Sequence, residues 1–236
     1  MEIQVEVKEK EKALSSFIAR LLREHFGKGP GVVFASISKP YITIYLKDFL
    51  TPIENRLMLK NHPTYIQKLR DVLMETLTEE IKNYITTVIG FKVEEFYYDW
   101  NLESQSGMFI GIEGKAGGEG GSYQNQDKVH QEIILISEEA EKKPVSITSH
   151  LLNPRTLLVV RNGILVSIEK ELIALNFQET LILAKRNLEK RLIHNHSKNL
   201  EDFLQAALEN VFVAWDFQRD KSAAVFILAP TKYRQK

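Results

Sequence analysis

The sequence predicts an α+β protein built as two tandem similar units, each a mainly antiparallel sheet with helices on one face. Three observations predict it. Strand-like runs come in pairs joined by short turns, which favours antiparallel pairing. Apolar residues at helical spacing separate those pairs. The order helix, two strands, helices, two strands also occurs twice at a nearly constant offset. That offset is 114 at Pro30/Pro144 and 117 at Asp99/Asp216. The units are expected to occupy residues 1–113 and 123–236, joined by a glycine-rich linker at 114–122 and arranged about a pseudo-twofold axis.

In the first half, residues 2–7 alternate apolar and charged, which predicts a short strand or an extended lead-in. Leu14, Phe17, Ile18, Leu21, Leu22 and Phe26 recur at helical spacing, and Gly27 is placed to end that helix in a left-handed turn. Val32 to Ile37 and Tyr41 to Leu46 are rich in β-branched and aromatic residues, with Lys39-Pro40 as the turn between them. Thr51, Pro52 and Glu54 predict a helix start. The Thr51 hydroxyl caps it, Pro52 sits where a missing N–H is no loss, and Glu54 completes a capping box. Asn61-His62-Pro63 breaks this short helix. A longer one follows, with an apolar stripe through Ile66, Leu69, Val72 or Leu73, Leu77, Ile81, Tyr84 or Ile85, and Val88 up to Gly90. Phe91–Trp100 and Met108–Ile112 read as a strand pair around a turn at Asn101–Gly107.

The second half repeats this order with changes. Its first helix runs through Val129, Ile133, Leu135 and Ile136 and is expected to end near Lys143. Leu165, Ile168, Glu169 and Leu172 match Leu50, Ile53, Glu54 and Leu57, while Asp216, Phe226 and Ile227 are matched to Asp99, Phe109 and Ile110. Gly27-Lys28-Gly29 becomes Glu141-Lys142-Lys143, and Thr51-Pro52 becomes Val166-Ser167, which breaks the capping box. The long helix is interrupted at His194-Asn195-His196-Ser197.

Composition excludes several classes. Lys plus Arg and Asp plus Glu number 31 each, so net charge gives no case for nucleic acid or an anionic membrane surface. The absence of cysteine excludes disulfides and thiol chemistry. The first residues are too charged for a signal peptide, and no apolar run reaches the ~20 residues that span a bilayer. A cytoplasmic protein without cofactor or metal is expected.

No catalytic motif emerges. Gly27-Lys28-Gly29-Pro30 follows a helix and precedes a strand, the reverse of a phosphate loop, so Gly27 and Gly29 are read as turn residues. His194 and His196 stand two apart and face different sides of a helix, and His196 reads as a half-buried structural histidine. Asp99 and Asp216 offer a paired-carboxylate site at equivalent strand ends, against a plainer reading as turn caps.

At Gly27-Lys28-Gly29-Pro30, at Leu50-Thr51-Pro52-Ile53-Glu54 and at the Val93-to-Trp100 strand, the first half resembles the MpsC-like family. Residues 12–112 carry the resemblance, and 127–229 look like a second, degenerate copy. The family is labelled as a component of a sodium-translocating, membrane-potential-generating system. The resemblance implies a non-enzymatic accessory that acts by protein–protein contact beside a membrane transport protein, without inserting in the bilayer itself. Its interaction surface is expected around Lys28, Pro30 and Lys39. Self-association into a homodimer stays open. The alternative is a small-ligand sensor with a pocket between the two units.

Overall fold

The computed structural model describes residues 2–114 and 122–229. Residues 115–121 of the expected linker lie outside this description. The chain divides into two compact units, Met1–Gly118 and Glu119–Lys236.

The first unit opens with α1, Glu2–Phe26. Residues 2–7, expected as a strand or lead-in, belong to this helix. Val5 is 54% exposed, and Glu6 pairs with Lys10 one turn on, as a helix places it. Gly27 follows at φ 73° with open space around it, the left-handed turn that ends the helix. β1 (Val32–Ser38) and β2 (Tyr41–Lys47) form a hairpin around Lys39-Pro40, whose peptide bond is cis. Next come α2 (Pro52–Leu59) and α3 (Pro63–Tyr84), then a π-helical turn (Ile85–Ile89) closed by Gly90 at φ 73°. β3 (Val93–Asn101) and β4 (Ser106–Glu113) form a second hairpin, tighter than the sequence suggests because Asn101, Ser106 and Gly107 already pair.

The sheet order is β1-β2-β4-β3, antiparallel throughout. Ile42, Ile44 and Leu46 of β2, Trp100 of β3 and Phe109 of β4 meet Leu14, Ile18 and Leu22 of α1 and Met74, Leu77 and Ile81 of α3 in one core. The edge strand β1 does not present a bare row of donors. Ser15 Oγ accepts from the Ala35 N–H and Glu11 Oε1 from the Ile37 N–H, so α1 covers the edge.

α3 corrects the expected stripe. Its buried residues are Ile66, Arg70, Met74, Leu77 and Ile81, while Leu69 and Val72, and Val88 in the π-helical turn beyond, are exposed. A charged side chain, Arg70, holds the position that periodicity assigned to an apolar one.

The second unit has α4 (Gln126–Ala140), β5 (Ser146–Asn153), β6 (Thr156–Asn162), α5 (Ser167–Ala174), α6 (Gln178–Asn195), α7 (Ser197–Leu204), β7 (Leu208–Asp216) and β8 (Lys221–Leu228). Its sheet order, β5-β6-β8-β7, matches the first. α4 ends at Ala140, before the expected Lys143. The long helix breaks where expected, with α6 ending at Asn195 and α7 starting at Ser197. A register shift between Leu151 and Asn153 gives the β5–β6 hairpin one more residue than its counterpart.

Strand register fixes the correspondence between units. Trp100 lies opposite Gly107, and Trp215 opposite Ser222, a shift of 115 positions on both strands. The matching of Asp216 to Asp99, Phe226 to Phe109 and Ile227 to Ile110 is therefore out by two. Asp99 corresponds to Ala214 and Asp216 to Asn101, so the paired-carboxylate idea loses its symmetry. Shared residue identity had drawn the match; backbone pairing overrules it.

Gly107 is a test of this packing. A Cβ there would stand 2.4 Å from Trp100 Cε3. Gly107→Ala is expected to destabilise the protein by ~1–3 kcal/mol through forced displacement of the ring, read as a lower urea midpoint with an unchanged slope.

Candidate functional site

Both units concentrate charge where the second helix pair meets the sheet. In the first, Thr51 Oγ1 accepts from the Glu54 N–H (3.3 Å) and Glu54 Oε2 accepts from the Thr51 N–H (2.8 Å), completing the capping box. Glu54 also receives Arg70, with Nε donating to Oε1 at 2.7 Å and Nη2 to Oε2 at 2.8 Å. Nη2 donates again to the Phe49 carbonyl at 2.9 Å. The guanidinium carbon lies 4.6 Å from the Trp100 ring centroid, 4.8 Å from Phe49 and 5.9 Å from Phe26. Nη1 has no hydrogen-bond partner, and the electron-rich ring faces are its surroundings. Arg70 and Glu54 are 0% and 2% exposed. Burial pushes the Glu54 carboxyl up, but the Arg70 hydrogen bonds and charge and the Thr51 N–H outweigh it and hold it below the ordinary carboxylate value.

The second unit keeps the pair and changes its walls. Glu169 takes the place of Glu54, and Lys185 Nζ donates to its Oε1 at 2.8 Å. Glu169 Oε2 still accepts from the Val166 N–H (3.0 Å), but Val166 has no hydroxyl to return the bond, so half of the capping box survives. Val166→Thr is expected to stabilise the protein by ~0.5–1 kcal/mol, measured as a raised urea midpoint.

Around this pair, apolar residues and glycines of the first unit become charged or polar. Glu141 stands at the Gly27 position just after the first helix, Arg161 at Leu46, Glu189 at Met74 and Ser222 at Gly107. Lys185 also bonds Glu141, and Arg161 pairs with Glu189 at 2.5 Å. Arg161 further donates to Ser222 and Ser137 at 2.9 Å each, and Trp215 Nε1 donates to Glu189 at 3.1 Å. Burial, then the nearby Glu189 charge, push the Glu141 carboxyl up to about 7 against the opposing pull of Lys185. The two carboxylates are thus shifted in opposite directions, Glu141 upward and Glu54 downward.

The expected surface residues fall in three different settings. Lys28 is exposed, but its Nζ donates to the Leu50 carbonyl at 2.9 Å and ties the turn to the start of α2. Pro30 is buried. Lys39 is 68% exposed, 4.0 Å from Glu113, at the far end of β1. A seven-residue strand separates them by about 23 Å, so the three do not make one exposed patch. Gly29 is a packing position, since a Cβ there would stand 3.0 Å from the Ala19 carbonyl oxygen.

A family model described as Na+-translocating membrane potential-generating system (MpsC) matches residues 6–113 and 123–230, once over each unit. The chain belongs to the MpsC family. No curated protein and no solved structure matches it.

Two further polar clusters of the MpsC units serve a sheet edge and a helix junction. Ser149 Oγ of β5 lies 2.7 Å from His130 Nε2 and 2.8 Å from the Tyr123 hydroxyl. This resembles a nucleophile and base, yet Ser149 is 2% exposed and Gln126 of the same helix donates to its carbonyl. The cluster occupies the place of Glu11 and Ser15, covering an edge strand as they do. His196, between α6 and α7, lies 2.7 Å from Glu132 and 3.0 Å from Glu139 of α4. The hydrogen bond with Glu132, reinforced by Glu139, raises its pKa despite partial burial. Among the described residues, no group of three or more His, Asp or Glu is placed to hold a metal ion.

The buried ion pair is what sequence reasoning missed. The signal was present: Glu54 and Arg70 stand sixteen residues apart, as do Glu169 and Lys185. A carboxylate and a cation kept at the same spacing in both copies, each on a helix, mark a pair that the fold holds together.

Proposed function

We propose that this MpsC protein is a non-enzymatic accessory of a membrane ion-handling system and acts by contact with a membrane transport protein. The observation that carries this reading is the family match over both units. Two features support it. The charged groups of the candidate site are spent on one another in the interior, where no substrate meets them. Among the described residues, no helix is long and apolar enough to cross a membrane, so the reading assigns the ion path to the partner.

Lys39 is the residue of the expected surface best suited to such a contact, being exposed and only loosely paired. The test is crosslinking of tagged chain in gently solubilised native membranes, followed by mass spectrometry. Recovery of an integral membrane protein, reduced by Lys39→Glu with folding intact, is the expected result. Lys28→Glu is a poor probe, because it also removes the bond to Leu50. A preparation free of membrane proteins would overturn the reading.

A further inference from the structure

We propose that the corner between α2 and α3 of the first unit docks on an anionic lipid surface. Ile53 is 72% exposed, Leu59 80%, Tyr65 65% and Leu69 49%. All lie within eight residues of the break at Asn61-His62, and the His62 and Tyr65 rings are in contact at 5.5 Å. Side chains this exposed protrude rather than line a groove.

Charge decides what they face. From Pro52 to Arg70 the exposed ionic residues are Arg56, Lys60 and Lys68, all basic. The one carboxylate in that segment, Glu54, is buried and held by Arg70. None of the three basic residues makes an ion pair among the described residues. Acidic residues resume at Asp71 and Glu75, further along α3. α3 also begins without a side-chain cap, so its first N–H groups add positive potential at the same corner. Protruding aliphatic and tyrosyl tips flanked by cations are what an interfacial segment presents to an anionic bilayer, with the tips at the headgroup boundary and the cations among the phosphates. The chain's net charge of zero hides this local excess.

The second unit supplies the contrast. Its equivalent corner exposes Ile168 (66%), Leu175 (63%) and Phe177 (53%). Its exposed charges are Lys170, Glu171 and Glu179, an acidic excess that an anionic surface repels. Docking therefore belongs to the first unit. The proposal stands independently of the protein–protein reading above.

The test is co-sedimentation of the full chain with vesicles of phosphatidylcholine alone or with about 30% phosphatidylserine, at about 0.15 M salt. Binding is expected on the anionic vesicles only, weakening as salt rises. Arg56→Gln, Lys60→Gln and Lys68→Gln should each lower the partition coefficient about fivefold. Leu59→Ser with Ile53→Ser should abolish binding, while Ile168→Ser with Leu175→Ser should leave it unchanged. All these positions are exposed, and an unaltered melting curve verifies folding. Absence of binding to the anionic vesicles, or binding indifferent to the three charge removals, would overturn the proposal. So would loss of membrane-protein crosslinks in detergent on Leu59→Ser with no effect on vesicles, which would make the corner a protein interface. Failure of the vesicle assay with crosslinks retained would leave the accessory reading standing, so the two claims fail separately.

Discussion

Glu54→Ala is expected to cost ~3–5 kcal/mol, the largest effect of any single substitution considered for this chain. It leaves the Arg70 guanidinium, 0% exposed, without its counter-ion. It also removes the acceptor for the Thr51 N–H at the start of α2. The aromatic faces of Trp100, Phe49 and Phe26 offset part of the loss but cannot replace a bidentate carboxylate. The double variant Glu54→Gln/Arg70→Met should recover most of it. Methionine fills the aromatic cage without charge, and the glutamine oxygen still accepts from Thr51. Urea midpoints for wild type, Glu54→Gln, Arg70→Met and the double variant close a thermodynamic cycle. A double variant as unstable as Glu54→Ala would show that the pair contributes more than mutual neutralisation.

The second large effect is a pH response in the second unit. Glu141 is an acid whose folded pKa, about 7, stands above its ordinary 4.5. The folded state thus binds a proton that the unfolded state has already released. Its contribution is fully present below pH ~4.5 and is lost as pH rises through about 7, a loss on the order of 3 kcal/mol. His196, with its pKa raised by Glu132 and Glu139, acts in the same direction: its stabilisation is present below its ordinary value and fades as pH climbs past the raised one. Glu54 acts oppositely. Its lowered pKa gives stability above the ordinary carboxylate value that is lost as pH falls through the folded one. The first unit is expected to loosen in acid, and the second as pH rises from the ordinary carboxylate range to neutrality.

The chain's two tryptophans make this measurable, since Trp100 lies in the first unit and Trp215 in the second. Trp100→Phe leaves Trp215 fluorescence to report on the second unit. Glu141→Gln in that background should raise the urea midpoint at pH 8–9 and change it little at pH 5. An equal effect at both pH values would mean that Glu141 is ionised throughout, held by Lys185.

Local chemistry made much of this legible. The capping box at Thr51, Pro52 and Glu54, the left-handed Gly27 and Gly90, and the turn at Pro40 all depend on residues acting over three or four positions. The duplication was legible because backbone order survives divergence of side chains. Arg70 was not, because a periodicity argument sorts charges outward and Leu69 and Val72 stand beside it as plausible core. The charges of the second interior were missed as well: Glu141 reads as loss of the Gly27 turn and nothing in the local pattern singles out Arg161 or Glu189, yet Glu141 pairs with Lys185 and Arg161 with Glu189. The lead-in residues were misassigned because alternation over six positions fits a strand and the exposed end of a helix alike. The surface at Lys28, Pro30 and Lys39 spans both ends of a strand, which a linear motif cannot reveal.

The proposed role, an accessory of a sodium-translocating, membrane-potential-generating system, is tested most directly by the membrane potential itself. In cells lacking this chain, a potential-sensitive dye should report a weaker potential generated on addition of sodium. Wild-type chain should restore it, and Lys39→Glu should restore it less. A sodium-dependent potential that is the same with and without the chain would contradict the claim.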